Sequence, residues 1–308
     1  MAKSSDTRKK SAKKPAVSQT RSATSATKSA ATTKTTTRVI STEQATPVNT
    51  KPVSFAARFN RHLTPEALVA ELLGTFILVV VALTVTAVLS PLYVGLTLLV
   101  LAITIGGISG AHVNPAVTFG LWTARKFPGF ALPFYWLAQA LGALAAVVAM
   151  GLLTGKGISL NFNSFLSLDW GVLAIEVIGT AIFLFGVVAA NSRVGLPLLG
   201  RSMGVGLSLF VALIVSAGLY TSLSSSIEKD KIQSITDVPR LLRLDSATLN
   251  PAVALAAHEK TDDQLQGTAD TGKSSPSRLT LGETLVGTLV GAALGANLYR
   301  ALVRREVK

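Results

Sequence analysis

The sequence predicts an all-α integral membrane protein with six transmembrane helices and two re-entrant half-helices, arranged as two inverted repeats. Three observations predict it. Charge-poor stretches of about 17 to 25 residues, long enough to cross a bilayer, occur six times. The tripeptide Asn-Pro-Ala occurs twice, as Asn114-Pro115-Ala116 within SGAHVNPAVTFG and as Asn250-Pro251-Ala252 within DSATLNPAVALAA. The pattern Glu-x-x-Gly-Thr opens each half, in AELLGTFILVV at 70–80 and IEVIGTAIFLF at 175–185.

Composition fits a lipid solvent: 49% of the 308 residues are hydrophobic and 15% are charged, with a mean hydropathy of +0.49. The charge is segregated. Residues 1–61 hold 13 Lys and Arg against 2 Asp and Glu, while the remaining residues hold 16 against 14, so the net charge of +13 belongs mainly to this first segment. It is built of Lys, Ser, Thr and Ala with almost no large apolar residues, too few to offset the entropy of ordering. It reads as a disordered basic tail. It has no apolar core of the signal-peptide kind, and an amphipathic presequence is the weaker alternative because Lys outnumbers Arg and no apolar stripe repeats. With no cysteine in the chain, disulfide and thiolate chemistry do not arise.

From residue 62 to 308 the chain reads as one membrane domain. The six spans lie at about 66–89, 92–110, 131–153, 171–191, 203–221 and 281–303, giving repeats of about 66–153 and 171–303. The Asn-Pro-Ala segments fall outside this set. About ten residues follow Asn114 before Arg125-Lys126 and about eight follow Asn250 before His258-Glu259-Lys260, too short to span at about 1.5 Å per residue. Asn is a preferred N-cap, and Pro at the first helical position sacrifices no hydrogen bond. Each tripeptide therefore begins a half-helix. Irregular backbone at membrane depth is tolerated only where protein encloses it or it lines a wet cavity, so both half-helices should dip in and meet at a pore. With its oxygen tied to its own helix, each Asn is expected to offer its NH₂ to a passing solute.

The repeat sets the topology. Glu-x-x-Gly-Thr recurs at an offset of 105, Asn-Pro-Ala at 136 and Gly142 to Gly291 at 149, the growth reflecting extra loop in the second half. Three spans per half, an odd number, invert one half relative to the other. Arg125-Lys126, Arg193, Arg201 and the Arg300, Arg304, Arg305, Lys308 set then fall on the side of the tail. By the distribution of Lys and Arg that side is cytoplasmic, placing both termini in the cytoplasm of a multi-pass protein of the cell membrane. The tail reads first as a solvated charged extension, with attraction to anionic lipid as the alternative. Nucleic acid is not, for lack of interleaved aromatic residues.

These features resemble the major intrinsic proteins, the aquaporins and glycerol facilitators, over about residues 66–303. The likeness is carried by SGAHVNPAVT at 109–118, the AELLGT and IEVIGT openings, YWLAQALGA at 135–143 and LVGTLVGAALGANLYRAL at 285–302. It implies an aquaporin-like fold and a homotetramer of independently conducting barrels passing water or small uncharged solutes. One departure stands out: the family's second motif usually continues with Arg, which narrows the selectivity filter, whereas here the position is Val253. By family spacing the other filter positions fall on Val94, Leu213 and Ala247. A ring of Val, Leu and Ala is wide and apolar and cannot select strongly by hydrogen bonding. Cation exclusion should therefore weaken without vanishing.

Other residues invite competing readings. Glu71 and Glu176 lie within spans at repeat-related positions and are expected to be the sole intramembrane carboxylates. The resemblance makes them braces of the re-entrant loops rather than a proton relay. His112 reads as a further loop brace. Arg240 and Arg243, ahead of Asn250 in an insertion at about 222–246, either fold over the mouth in place of the missing Arg or belong to an amphipathic surface segment. Neither enzymatic motifs nor cofactor or metal ligands appear. The leading function is a passive channel for water, glycerol or urea-like solutes; the alternative is a near-closed structural or adhesion protein of the same fold.

Overall fold

The computed structural model describes residues 63–85, 88–155, 168–227, 232, 234–268 and 282–306. The tail expected at 1–61 and part of the insertion lie outside them.

The described residues are organised by helices. The first half contains α1 (Pro65–Thr84), α2 (Ser90–Thr104), the half-helix α3 (Pro115–Thr123) and α4 (Leu132–Thr154). The second contains α5 (Trp170–Ser192), α6 (Leu198–Ser225), a short turn of helix α7 (Arg240–Arg243), the half-helix α8 (Pro251–Ala256), α9 (Asp262–Gln266) and α10 (Gly282–Glu306). Local chemistry explains the starts. Thr64 caps α1 by accepting from Ala67 N at 3.1 Å, with Pro at the first position. Asp169 caps α5 by accepting from Gly171 N and Val172 N.

Five of the helices, α1, α4, α5, α6 and α10, are long and apolar enough to cross a membrane. The sixth expected span is shorter than its apolar run. Helix α2 has 15 residues rather than the expected stretch of 92–110, about 22 Å at 1.5 Å per residue. It stops because Gly106, Gly107 and Gly110 turn the chain into the approach to α3, and Gly110 lies at φ 94°. The expected insertion also begins inside a helix, since α6 continues to Ser225.

The packing is two-fold in character. Helix α1 packs on α4 as α5 packs on α10; α2 crosses α6; and each half-helix lies against the last span of the opposite half, α3 on α10 and α8 on α4. Repeat-related glycines permit this. A Cβ on Gly142 would stand 2.3 Å from Leu72 O, and one on Gly291 2.4 Å from Val177 O. Both glycines therefore mark backbone-to-backbone contact that any side chain would force apart. Leucine, valine and isoleucine on the outer faces, such as Val69, Leu137, Ile178 and Leu294, are exposed, as lipid or a neighbouring subunit requires.

Candidate functional site: two half-helices between two cavities

The half-helices begin as their sequences dictate. Asn114 Oδ1 accepts from Ala116 N at 2.7 Å, Asn250 Oδ1 accepts from Ala252 N at 2.9 Å, and proline follows each. The amide nitrogens are not idle. Asn114 Nδ2 donates to Leu249 O at 2.9 Å and Asn250 Nδ2 donates to Val113 O at 3.1 Å, so each asparagine ties its own helix to the loop of the other. The expectation of a wholly spare NH₂ is corrected to one remaining N–H on each, because an amide nitrogen has two.

The carbonyls that accept these bonds are positioned by unusual backbone. Val113 sits at φ 42° and Leu249 at φ 51°, a left-handed region that a β-branched or bulky residue occupies only at a cost of order 1–3 kcal/mol. A buried carboxylate holds each loop there. Glu71 accepts from Val113 N at 2.7 Å, His112 N at 2.9 Å, Ser109 Oγ at 2.7 Å and Gln139 Nε2 at 2.8 Å. Glu176 accepts from Leu249 N at 3.0 Å, Thr248 N at 2.9 Å and Thr248 Oγ1 at 3.1 Å.

His112 is fixed within the first loop. Its Nδ1 meets Thr118 Oγ1 at 3.1 Å, and its ring lies 4.8 Å from that of Phe127 and 5.2 Å from that of Tyr135. Thr118 donates its hydroxyl proton to Asn114 O, leaving its lone pairs for His112 and Gln139 Nε2. Gln139, Ser109 and Thr118 escaped the sequence reading. Only Gln139, a lone amide inside the apolar run of α4, had a visible signal.

Two cavities border the segments next to the asparagines, although neither is lined by Asn114 or Asn250 itself. The larger, about 400 Å³, runs from Val117 and His112 to Lys126 and Arg201. The smaller, about 280 Å³, is lined by Val94, Leu213, Ala247 and Val253, with Asp245 and His258 also on its wall. Four residues of distant sequence positions thus share one wall. Neither Arg240 nor Arg243 lines either cavity. Arg243 donates to Asp262 Oδ1 and Ile235 O, both at 2.8 Å. Arg240 donates to Glu283 Oε1 at 2.6 Å and approaches Glu259 at 3.3 Å. Glu283, fully buried at the start of α10, corrects the expectation that Glu71 and Glu176 are the sole carboxylates within spans; its counter-charge, Arg240, comes from α7, so the span alone gave no hint of it.

Spanning helices, two half-helices meeting end to end and a cavity beyond each define a multi-pass membrane protein of the re-entrant, two-fold class. The family model described as Major intrinsic protein matches residues 58–226, and the chain belongs to that family. The match stops ahead of the second Asn-Pro-Ala. Aquaporin Z of Brucella melitensis is 33% identical over 133 residues, 40% of this chain and 58% of its own. Aquaporin Z of Photorhabdus laumondii is 33% identical over 174 residues, 48% of this chain and 75% of its own. Aquaporin NIP2-3 of Zea mays is 36% identical over 112 residues, 36% of this chain. The chain spans little more than half the length of the Brucella protein and 37% of the maize protein. In structure it resembles the aquaglyceroporin of Plasmodium falciparum with a TM-score of 0.52 at 20% identity, covering 79% of this chain and 98% of that one. That likeness speaks to the fold.

Proposed function

We propose that this protein is a passive channel for water and small uncharged solutes of the glycerol or urea kind, with a wide apolar constriction. The observation that carries this reading is the smaller cavity, where Val94, Leu213, Ala247 and Val253 converge while both nearby arginines are committed to acidic partners elsewhere. These four act as the filter, and Asn114 and Asn250, capping the half-helices, form the midplane gate to single-file passage. Glu71, Glu176 and His112 hold the loops that carry them. Without a fixed cation, the constriction discriminates by size and by tolerance of partial dehydration rather than by hydrogen bonding. The domain is residues 62–308, preceded by a basic cytoplasmic tail at 1–61; the assembly is a homotetramer in the cell membrane with both termini cytoplasmic.

Stopped-flow light scattering on proteoliposomes tests this. Wild type should pass glycerol or urea, and Val253→Arg should cut that flux at least tenfold while reducing water flux less. Empty-liposome rates for every solute would favour the near-closed adhesion reading. Equal selectivity in wild type and Val253→Arg would remove Val253 from the constriction.

A further inference from the structure

The hairpin that carries the second half-helix is clamped at its neck by charge. Residues 244–249 lead into α8 and residues 257–260 lead out of it. Across this neck Arg240 Nε lies 3.3 Å from Glu259 Oε1, Lys260 N donates to Arg243 O at 2.8 Å, and Lys260 Nζ lies 2.9 Å from Asp245 Oδ1. Arg240 also donates to Glu283 Oε1 of α10, so one guanidinium joins the two ends of the hairpin to a spanning helix. The first hairpin is closed differently. Tyr135 Oη donates to Ser109 O at its entry, and among the described residues no ion pair crosses its neck.

The clamp belongs to the half that supplies two members of the apolar ring. Ala247, on the entering limb, and Val253, in α8, share the smaller cavity with Val94 of α2 and Leu213 of α6. Apolar side chains make no hydrogen bonds across a ring, so its width follows from where the backbone stands. The hairpin is pinned at its tip, where Glu176 accepts from Thr248 N and Leu249 N and Asn250 Nδ2 donates to Val113 O. The neck is the other pin, and Ala247 and Val253 lie between the two. Arg240 and Glu259 do not line the cavity themselves. Their side chains are only 14% and 7% exposed, so salt screens their attraction little.

We propose that Arg240 and Glu259 are positioning residues for the constriction: by closing the neck of the second hairpin they fix where Ala247 and Val253 stand relative to Val94 and Leu213, and so set the largest neutral solute that passes. This rests on the channel reading and adds what holds its width. A ring that discriminates by size depends on small displacements, since one methylene group of misfit changes discrimination by on the order of tenfold or more. Loosening the neck frees the outer part of the hairpin while the ties at its tip remain. The size limit therefore rises, and the passage of small solutes continues.

The test uses the full chain in proteoliposomes, with glycerol as the small probe and the longer polyol xylitol as the large one, each flux taken per folded channel. Glu259→Gln keeps the side-chain size and leaves the pair of Arg240 with Glu283 in place, so it opens the neck without stranding a buried charge. Arg240→Gln combined with Glu283→Gln removes the guanidinium together with its buried partner. Both variants should raise the ratio of xylitol to glycerol flux by on the order of tenfold, while Arg243→Ala, which releases the half-exposed Asp262 instead, should keep the wild-type ratio. A ratio unchanged in Glu259→Gln, with glycerol flux intact, overturns the inference and leaves the channel reading standing. Fluxes of both polyols falling in proportion would show a purely structural role and also overturn it, as would an equal rise in Arg243→Ala. Absence of glycerol flux in wild type would instead remove the channel reading, and the inference with it.

Discussion

At the scale of single residues, the asparagine amide serves two partners and keeps one donor over. Its oxygen caps a helix, one N–H ties the opposite loop, and one N–H remains. Asn250→Asp keeps the size and the cap but removes both donors, and sets a carboxylate oxygen against Val113 O. The substitution should cost about 1–3 kcal/mol, read as a lower midpoint of thermal unfolding in detergent, and should raise cation leak more than it changes glycerol flux. An unchanged leak would place Asn250 off the path. Both cap roles were legible in the sequence because capping is local, decided within three residues. The reciprocal ties were not: Asn114 and Leu249 are joined across 135 positions, and the acceptor is a backbone carbonyl that no sequence pattern marks.

Among elements, the segment at α7 works as a strap across the second half. Arg240 reaches Glu283 and Glu259, Leu241 N donates to Asp169 Oδ2 at 3.0 Å, and Tyr220 Oη donates to Leu244 O at 2.8 Å. It fastens α5, α6 and α10 to the approach of the second half-helix. Its two arginines should behave unequally. Arg240→Ala leaves Glu283 as an uncompensated buried charge, a loss of about 3–5 kcal/mol. Arg243→Ala removes a pair to the half-exposed Asp262, worth about 0–1 kcal/mol. Thermal unfolding in detergent would reveal the difference, and solute flux through properly folded Arg243→Ala should match wild type. The sequence reading had VPRLLRL either as a surface segment or as a replacement filter. It missed the strap because the pairing depends on Glu283, whose place at a helix start inside an apolar run made it look like part of the span.

For the whole molecule, the pseudo-two-fold places every device twice: carboxylate, strained residue, capped half-helix and glycine contact. That duplication is what made the fold legible, since motifs repeated at drifting but monotonic offsets of 105, 136 and 149 leave little choice of topology. Charge is the property that breaks the symmetry, with Lys126 and Arg201 in one chamber and a neutral ring in the other. The segment 1–61, which lies outside the described residues, is read as a tail from its composition alone. Deleting residues 1–55 should leave osmotic shrinkage rates per inserted channel within about twofold of the full chain, as expected of a segment that buries no core. A loss of flux would make the tail part of the conducting assembly.

The crossed asparagine ties also impose an order in time. When the first half leaves the ribosome, Asn114 and the carbonyl of Val113 have no counterpart, because Leu249 and Asn250 are still to be made. At about 5–20 residues per second, the wait for some 135 residues is on the order of ten seconds. During that wait a polar loop sits at membrane depth with its partner unsynthesised. The first loop has Glu71, Gln139 and Thr118 from its own half to hold it, but the two crossed ties can close only after Leu249 and Asn250 have been made.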